Sequence, residues 1–242
     1  MLKLREEEDP NSTLTPLERG RILHEILEKG FRNWDAGNKK PRSINIDNYG
    51  EALELFRKIA EEKIPSKHKV TEIPRLFGTG FDAGDLEWLL RWEMTRGTLK
   101  KRLVEHSFTT RLPISIGPRG EKPWSIDIRG RIDRVDINEM NEIDVFDYKT
   151  GRAPDSGTTM QVPIYALCLS EEFASKINEA AYLSFRDRKK ISRMDFNRAK
   201  ELVVKTFESI QNGVFNPKPH RDHLCVSCGF IDVCRKEFLE KE

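Results

Sequence analysis

The sequence predicts a mixed α/β fold whose central sheet starts as an antiparallel meander and is flanked by helices. Residues 15–31 and 85–104 carry apolar side chains at helical spacing. Residues 130–137 and 143–149 alternate around a polar loop, as the two strands of a β-hairpin do. After that hairpin, helical and strand patterns alternate along the chain. These observations together favour helices packed on a sheet.

The first helix is predicted to start at Thr15, after a polar linker over residues 1–14. Thr15 suits the N-cap, Pro16 suits the first helical position, and Glu18 can close a capping box. The apolar residues of this helix predict one buried face, and they are Ile22, Leu23, Ile26, Leu27 and Phe31. His24 borders that buried face, where a hydrogen-bonded core histidine and a ligand are both compatible with the pattern.

A helical insertion is predicted over about residues 35–100. It contains helices at residues 51–63 and 85–104, and the segment between them, residues 65–84, reads as irregular because it is rich in proline and glycine. Glu105 is expected at the junction where the long helix gives way to a strand.

The hairpin brings charged side chains together on one face. If residues 137 and 143 close its loop, the opposed pairs on that face are Val135 with Val145, Asp133 with Asp147, and Arg131 with Lys149. Two opposed aspartates repel each other unless a cation lies between them, and hard oxygen ligands suit Mg²⁺ or Mn²⁺. Lys149 could then orient a water or stabilise the charge of a phosphorane. A surface hairpin with solvated charges is the alternative reading.

A helix is predicted at residues 160–169, after a loop rich in glycine, proline and serine. Gln161 and Tyr165 lie one turn apart on it, where they could serve a site or simply pack. Cys168 continues that face as a buried thiol. The last predicted elements are strands at 180–185 and 189–191 and a helix at 195–211.

The composition predicts a cytoplasmic protein without a membrane span. Charged residues make up 34% of the chain, no apolar signal segment opens it, and no window approaches the roughly 18 apolar residues of a span. The net charge is only +2, so contact with nucleic acid would depend on local basic residues. The candidates form two basic patches, one of Arg129, Arg131, Arg134 and Arg152 and one of Arg186, Arg188, Lys189 and Lys190.

Three motifs in order carry a family resemblance. G-R-I-D-R-V-D at residues 130–136, D-Y-K-T-G at 147–151 and Q-x-x-x-Y at 161–165 together resemble the RecB/AddB-type branch of the PD-(D/E)xK nuclease superfamily. The resemblance covers nearly the whole chain. It implies a restriction-endonuclease-like core over residues 15–219 and a deoxyribonuclease that depends on Mg²⁺ or Mn²⁺.

The resemblance also implies a role for each candidate residue. The metal ligands that it implies are His24, Asp133, Asp147 and the backbone carbonyl of Tyr148. The catalytic residues that it implies are Asp133, Asp147, Lys149, Gln161, Tyr165 and Glu105. The residues implied to bind DNA are Arg131, Arg134, Arg152 and Tyr165.

The family context implies the nuclease domain of a recombination and repair helicase–nuclease, acting as an exonuclease on single-stranded DNA. The chain has no Walker motif, so the helicase motor is expected on a removed region or a partner chain. A freestanding CRISPR-associated nuclease of the same superfamily is the main alternative. A non-catalytic DNA-binding module predicts loss of a ligand or of the lysine, and an iron–sulfur scaffold explains only the cysteines.

The tail over residues 220–242, expected to pack on the nuclease core, carries Cys225, Cys228 and Cys234. Thiolates at this spacing bind iron–sulfur clusters or zinc. In the resembling family, three such cysteines join one upstream cysteine around a [4Fe–4S] cluster. No cysteine precedes Thr15, so the cluster is expected in a longer parent and not in this chain. His220 or His223 could instead complete a zinc site.

A longer protein that supplies the upstream cysteine should be brown after anaerobic reconstitution and should absorb near roughly 400 nm, because thiolate-ligated iron–sulfur clusters colour proteins. Iron and sulfide analysis of that protein checks the expectation. Colourless protein, or one equivalent of zinc in its place, would contradict the cluster.

Overall fold

The structure is a computed structural model that describes residues 13–116, 122–151 and 160–214, together with 225, 226, 228–230 and 234. Its helices are α1 (Pro16–Asp35), α2 (Tyr49–Lys63), α3 (Lys69–Phe77), α4 (Asp85–Glu93), α5 (Gln161–Phe173) and α6 (Phe196–Gln211), with a 3₁₀ turn at Ser66–His68. Its strands are β1 (Leu99–Ile116), β2 (Lys122–Asn138), β3 (Glu142–Lys149), β4 (Lys176–Ser184) and β5 (Lys189–Ser192).

The strands form a five-stranded sheet in the order β1-β2-β3-β4-β5. β3 pairs antiparallel with β2 and parallel with β4, and β5 returns antiparallel to β4. α5 provides the crossover that a parallel pair requires. The predicted fold class, a mixed and mostly antiparallel sheet flanked by helices, is confirmed. The hairpin register is confirmed too, since Val135 lies opposite Val145 and Ile137 lies opposite Ile143.

The main core lies between the sheet and helices α1 to α4. Phe146 and Tyr148 of β3 and Leu183 of β4 are buried in the same apolar cluster as these helices. Because side chains alternate along a strand, Val145 and Asp147 point to the opposite face, where α5 packs on β3 and β4. The face of β3 that carries Asp147 is therefore opposite to the face that packs on the large helical layer.

The helix predicted over residues 85–104 is shorter than expected. α4 ends at Glu93 and β1 begins at Leu99, so the expectation that Glu105 marks a helix-to-strand junction is wrong and Glu105 lies inside β1. A turn ends the helix, in which the N–H of Arg96 donates to the carbonyl of Glu93 at 3.0 Å. The side chain of Arg96 enters a buried ion network.

The segment predicted as irregular, residues 65–84, contains α3. Pro74 lies inside this helix and argues against it in the sequence, because proline removes one helical hydrogen bond. Packing outweighs that loss, since Leu76 and Phe77 at the end of α3 are buried. Tertiary contacts of this kind are not visible in a local pattern.

The boundaries around the crossover also differ from those predicted. α5 continues to Phe173, beyond the predicted end at residue 169, and β4 begins at Lys176, before the predicted start at residue 180. The first residues of β4 alternate between exposed and half-buried positions, so they lack the apolar run that marks the later, buried part of the strand.

An ion network is buried between α4, β1 and β2. The guanidinium of Arg134 is fully buried, 2.5 Å from the carboxylate of Glu93 and 2.6 Å from that of Asp136. Arg102 reaches Glu93 at 3.4 Å, and Arg96 reaches Asp136 at 2.8 Å. Burial by itself raises the pKa of Asp136, but the charges of the three arginines outweigh it and hold that pKa below its ordinary value.

The prediction that Arg134 binds DNA is wrong. Neighbouring residues of a strand point to opposite faces, so the register that places Asp133 at the candidate site turns Arg134 into the core. There its guanidinium lies over the ring of Phe31, 4.6 Å from the ring centroid. A side chain with 0% exposure cannot contact a nucleic acid.

The chain divides into two compact units. The first comprises Met1–Pro113 and Ser125–Phe196, and the second comprises Ile114–Trp124 and Asn197–Glu242. The candidate metal and catalytic residues lie in the first unit. The division predicted at residues 14 and 219 stays a prediction. Among the described residues, no helix has both the length and the apolar character needed to cross a bilayer.

Replacing Arg134 by alanine should lower the free energy of unfolding by about 3–5 kcal/mol, because it takes the nearest cationic partner from two buried carboxylates. Arg129→Ala is the matched control, since Arg129 is an exposed arginine of the same strand. The control should change stability by less than about 0.5 kcal/mol. Urea unfolding of both variants measures the difference, and equal losses would contradict a structural role for the network.

Candidate metal centre and active site

The candidate site is assembled from α1, β1 and β2. The Nδ1 atom of His24 lies 3.2 Å from Oε1 of Glu105 and 3.2 Å from Oδ1 of Asp133. The predicted capping box of Thr15 and Glu18 is present and starts α1, so the helix enters the fold in a defined register. His24 then follows two turns later, on the border of the buried face.

The regular backbone pairing of β2 with β3 ends just before Asp133. Paired residues of β2 and β3 run from Ile137 opposite Ile143 to Arg134 opposite Phe146. One step further along, the N–H of Tyr148 donates to the side chain of Asp133, with 2.5 Å between N and Oδ2. One carboxylate oxygen of Asp133 therefore replaces a strand acceptor, and the other faces His24.

Asp147 and Lys149 follow on β3. The carboxylate of Asp147 is buried, and its Oδ2 atom lies 2.6 Å from Nζ of Lys149. Burial, with the negative charge of Asp133 added to it, raises the pKa of Asp147 to about 6 against the opposing charges of Lys149 and His24. The aspartates are thus close enough to repel each other, as the hairpin register predicts.

Glu105 occupies an unusual backbone position. Its φ is +51°, which is the left-handed region and is uncommon for a residue that is not glycine. Such conformations cost on the order of 1–3 kcal/mol and persist where the surrounding structure enforces them, often at functional sites. The bend turns a half-buried carboxylate of an edge strand toward His24.

The donor set fits a divalent cation. Ligand atoms of His24, Glu105 and Asp133 all lie within 4.8 Å of one another. Burial lowers the pKa of His24, but hydrogen bonds and charges from Asp133 and Glu105 outweigh this effect and raise that pKa to about 10. The two carboxylates are therefore stabilised by a positive charge between them, and carboxylate oxygens with one imidazole can hold a divalent metal ion.

An open groove runs past these residues. Pro16, Gly20 and Arg21 of α1 line it together with Arg131 and Thr150. Arg131 is 59% exposed and its Nε atom lies 2.7 Å from Oε2 of Glu105. The structure thus places Arg131, which the sequence assigns to DNA binding, beside the metal-binding candidates.

The structure places Gln161 and Tyr165 on α5, and Tyr165 contacts β1 and β2. Gln161 is the exposed first residue of that helix. The ring of Tyr165 meets that of Phe108 edge to face, with centroids 5.0 Å apart. Both rings lie on Gly130, where an added Cβ would stand 2.9 Å from Tyr165 and 2.6 Å from Phe108. Tyr165 therefore packs against the residue before Arg131.

Other predicted residues lie elsewhere. Arg152 falls outside the described residues, as do His220 and His223. Cys168 is buried as predicted, and its burial raises the pKa of the thiol to about 12. The remaining cysteines are unpaired, and they are Cys225, Cys228 and Cys234. Metal binding by them, and by the carbonyl of Tyr148, stays a prediction.

Sequence reasoning missed the buried network and the left-handed backbone of Glu105. One feature of the sequence indicates the network. Arg134 and Asp136 alternate with residues of the opposite face, so they point inward with the apolar side of β3. The sequence contains no comparable indication of the backbone of Glu105, because no residue type in 99–116 marks a bend at that position.

Comparison with known proteins gives the family. The model of the PD-(D/E)XK nuclease superfamily matches residues 1–235. The chain belongs to that superfamily. Members of that superfamily are nucleases that use divalent metals, which implies a metal-dependent nuclease. Membership of the RecB/AddB-type branch within that superfamily stays a prediction.

Two similar proteins give less information about function than the family model does. "Uncharacterized protein RC0550" of Rickettsia conorii is 28% identical over 173 residues, which cover 68% of this chain. The chain spans 19% of the length of that relative. The solved structure "Crystal structure of SSO0001" is 20% identical, with a TM-score of 0.34, and the alignment covers 90% of this chain and 97% of that chain.

In the presence of a chelator, Asp147→Asn should raise the free energy of unfolding at pH 8 by about 1–3 kcal/mol, because a pKa unit corresponds to about 1.36 kcal/mol. The folded state binds the proton of Asp147 more tightly than the unfolded chain does, with a pKa of about 6 against 3.8. The stability of the parent protein therefore falls as the pH rises through that interval.

The advantage of Asp147→Asn should accordingly vanish below pH 4 and reach its full size above pH 6. Urea unfolding at pH 4, 6 and 8 measures it. Asp127→Asn, at an exposed aspartate of β2, is the control and should show no gain. A variant less stable than the parent protein at pH 8 would contradict the repulsion.

Proposed function

We propose that this chain is a Mg²⁺- or Mn²⁺-dependent deoxyribonuclease of the RecB/AddB type, acting as an exonuclease on single-stranded DNA. The observation that carries the proposal is the convergence of His24, Glu105 and Asp133 within 4.8 Å, with Asp147 and Lys149 on the next strand. The order of the motifs along the chain supports the RecB/AddB branch. The same resemblance supports the preference for single strands.

Each side chain has a chemical task in this proposal. His24, Glu105, Asp133 and Asp147 would hold a divalent ion, which supplies an activated water and polarises the phosphodiester. Lys149 places its ammonium beside Asp147, where it can orient the attacking water and stabilise charge on the phosphorane. The water oxygen forms a bond to phosphorus as the bond to the leaving oxygen breaks.

The groove that Arg131 lines would hold the DNA strand. Arg131 is exposed and can contact a phosphate, and contacts of this kind position nucleic acid without reading its sequence. Tyr165 packs on Gly130, the residue before Arg131, and could contact a base from there. Gln161 could hydrogen-bond the water or Lys149.

The wider assignments belong to the same proposal. We infer that the chain acts in recombination and repair with a helicase motor on another segment or chain, in the cytoplasm. The core would span residues 15–219. The tail of residues 220–242 would carry three ligands of a [4Fe–4S] cluster or, with a histidine, a zinc ion.

Lys149→Ala should abolish cleavage of single-stranded DNA in the presence of Mg²⁺ or Mn²⁺ while leaving the fold intact, because the ammonium serves the reaction and is only partly buried. A loss of at least about 10²-fold in rate is expected. Lys176→Ala is the matched control, since Lys176 is an exposed lysine of the neighbouring strand.

Cleavage of a labelled oligonucleotide measures the activity of both variants. Chelation of the metal should also stop cleavage by the parent protein. Control activity should equal that of the parent protein. Full activity of Lys149→Ala, or cleavage that persists in chelator, would overturn the proposed function.

A further inference from the structure

The carboxylate of Glu105 is shared between two cationic side chains. Its Oε1 atom lies 3.2 Å from Nδ1 of His24, on the side of the metal-binding candidates. Its Oε2 atom lies 2.7 Å from Nε of Arg131, on the side of the groove. One of the two oxygens that could serve a metal is therefore neutralised by a guanidinium.

Glu105 and Arg131, the two partners of this ion pair, differ in how freely their side chains can move. The side chain of Glu105 is 10% exposed and its backbone is fixed at a φ of +51°, so the carboxylate cannot turn away easily. The side chain of Arg131 is 59% exposed and reaches Glu105 from the groove. An ion pair with one exposed partner contributes only about 0.2–1 kcal/mol, so the guanidinium can exchange partners at small cost.

We propose that Arg131 is a positioning residue that couples DNA to the metal: it neutralises Glu105 until a phosphate of the strand draws its guanidinium away and leaves both oxygens of Glu105 to the metal. This proposal rests on the proposed nuclease function. It adds a role to Arg131 beyond a contact with DNA.

The chemistry favours this exchange of partners. A phosphodiester in the groove offers two non-bridging oxygens that share one negative charge and match the planar donors of an arginine. Without DNA, the positive charge of Arg131 opposes a cation at Glu105. With DNA, that charge is neutralised by phosphate and no longer opposes it. Linkage then requires that metal strengthen DNA binding by the same factor by which DNA strengthens metal binding.

The test measures Mn²⁺ affinity without DNA, by isothermal titration calorimetry, for the parent protein, Arg131→Ala and Arg129→Ala. Arg131→Ala should bind Mn²⁺ on the order of two- to fivefold more tightly, because an exposed ion pair of this kind is released. Arg129→Ala removes an equal charge two residues away on β2 and should bind Mn²⁺ as the parent protein does.

A second titration adds a short single-stranded oligonucleotide, in a Lys149→Ala background so that the strand stays intact. DNA should tighten Mn²⁺ binding when Arg131 is present and should lose this effect with Arg131→Ala. Arg131→Lys keeps the charge and should keep the weaker affinity for Mn²⁺ without DNA.

The outcomes separate the two proposals. If the parent protein binds Mn²⁺ and cleaves DNA but Arg131→Ala binds Mn²⁺ equally or more weakly, the coupling is overturned and the nuclease stands. Equal gains in Arg131→Ala and Arg129→Ala would also overturn it, because general charge would then explain the effect. If the parent protein binds no Mn²⁺ and cleaves nothing, the proposed function fails and the coupling fails with it.

Discussion

The burial of Arg134 between Glu93 and Asp136 is the interaction on which the candidate site depends. Breaking such a cluster leaves uncompensated charges inside the protein, so β2 cannot slip by one residue relative to α4. Because alternate residues of a strand face opposite ways, the same contact turns Asp133 toward His24. Core electrostatics on one face of β2 thereby sets the position of a candidate metal ligand on the other.

The hairpin could be predicted from the sequence because its information is local. A polar loop closes two alternating runs, and the register follows from the loop ends, as the pairing of Val135 with Val145 shows. The environment of Arg134 could not be predicted in this way. Its partner Glu93 lies on a helix far back along the chain, and an arginine next to a candidate active-site aspartate reads as a DNA contact.

The site shows the same division between local and non-local information. The pattern of α1 identifies His24 as a border residue, and the family resemblance implies that it is a metal ligand. The approach of Glu105 depends on a helix ending at Glu93, ahead of its predicted end, and on a backbone bend that no residue type signals. Packing of α1 and β1 decides both, and neither is a property of a short segment.

The hydrogen bond from the amide of Tyr148 to Asp133 gives that aspartate two functions at once. It would bind a cation through one oxygen, and through the other it closes the sheet where the ladder has opened. Removing its side chain would therefore loosen the edge of the hairpin, and with it the strand that carries Asp147 and Lys149. A substitution at Asp133 alters the strand pairing together with the charge, whereas one at Lys149 removes a charge beside Asp147 and leaves the strand pairing in place.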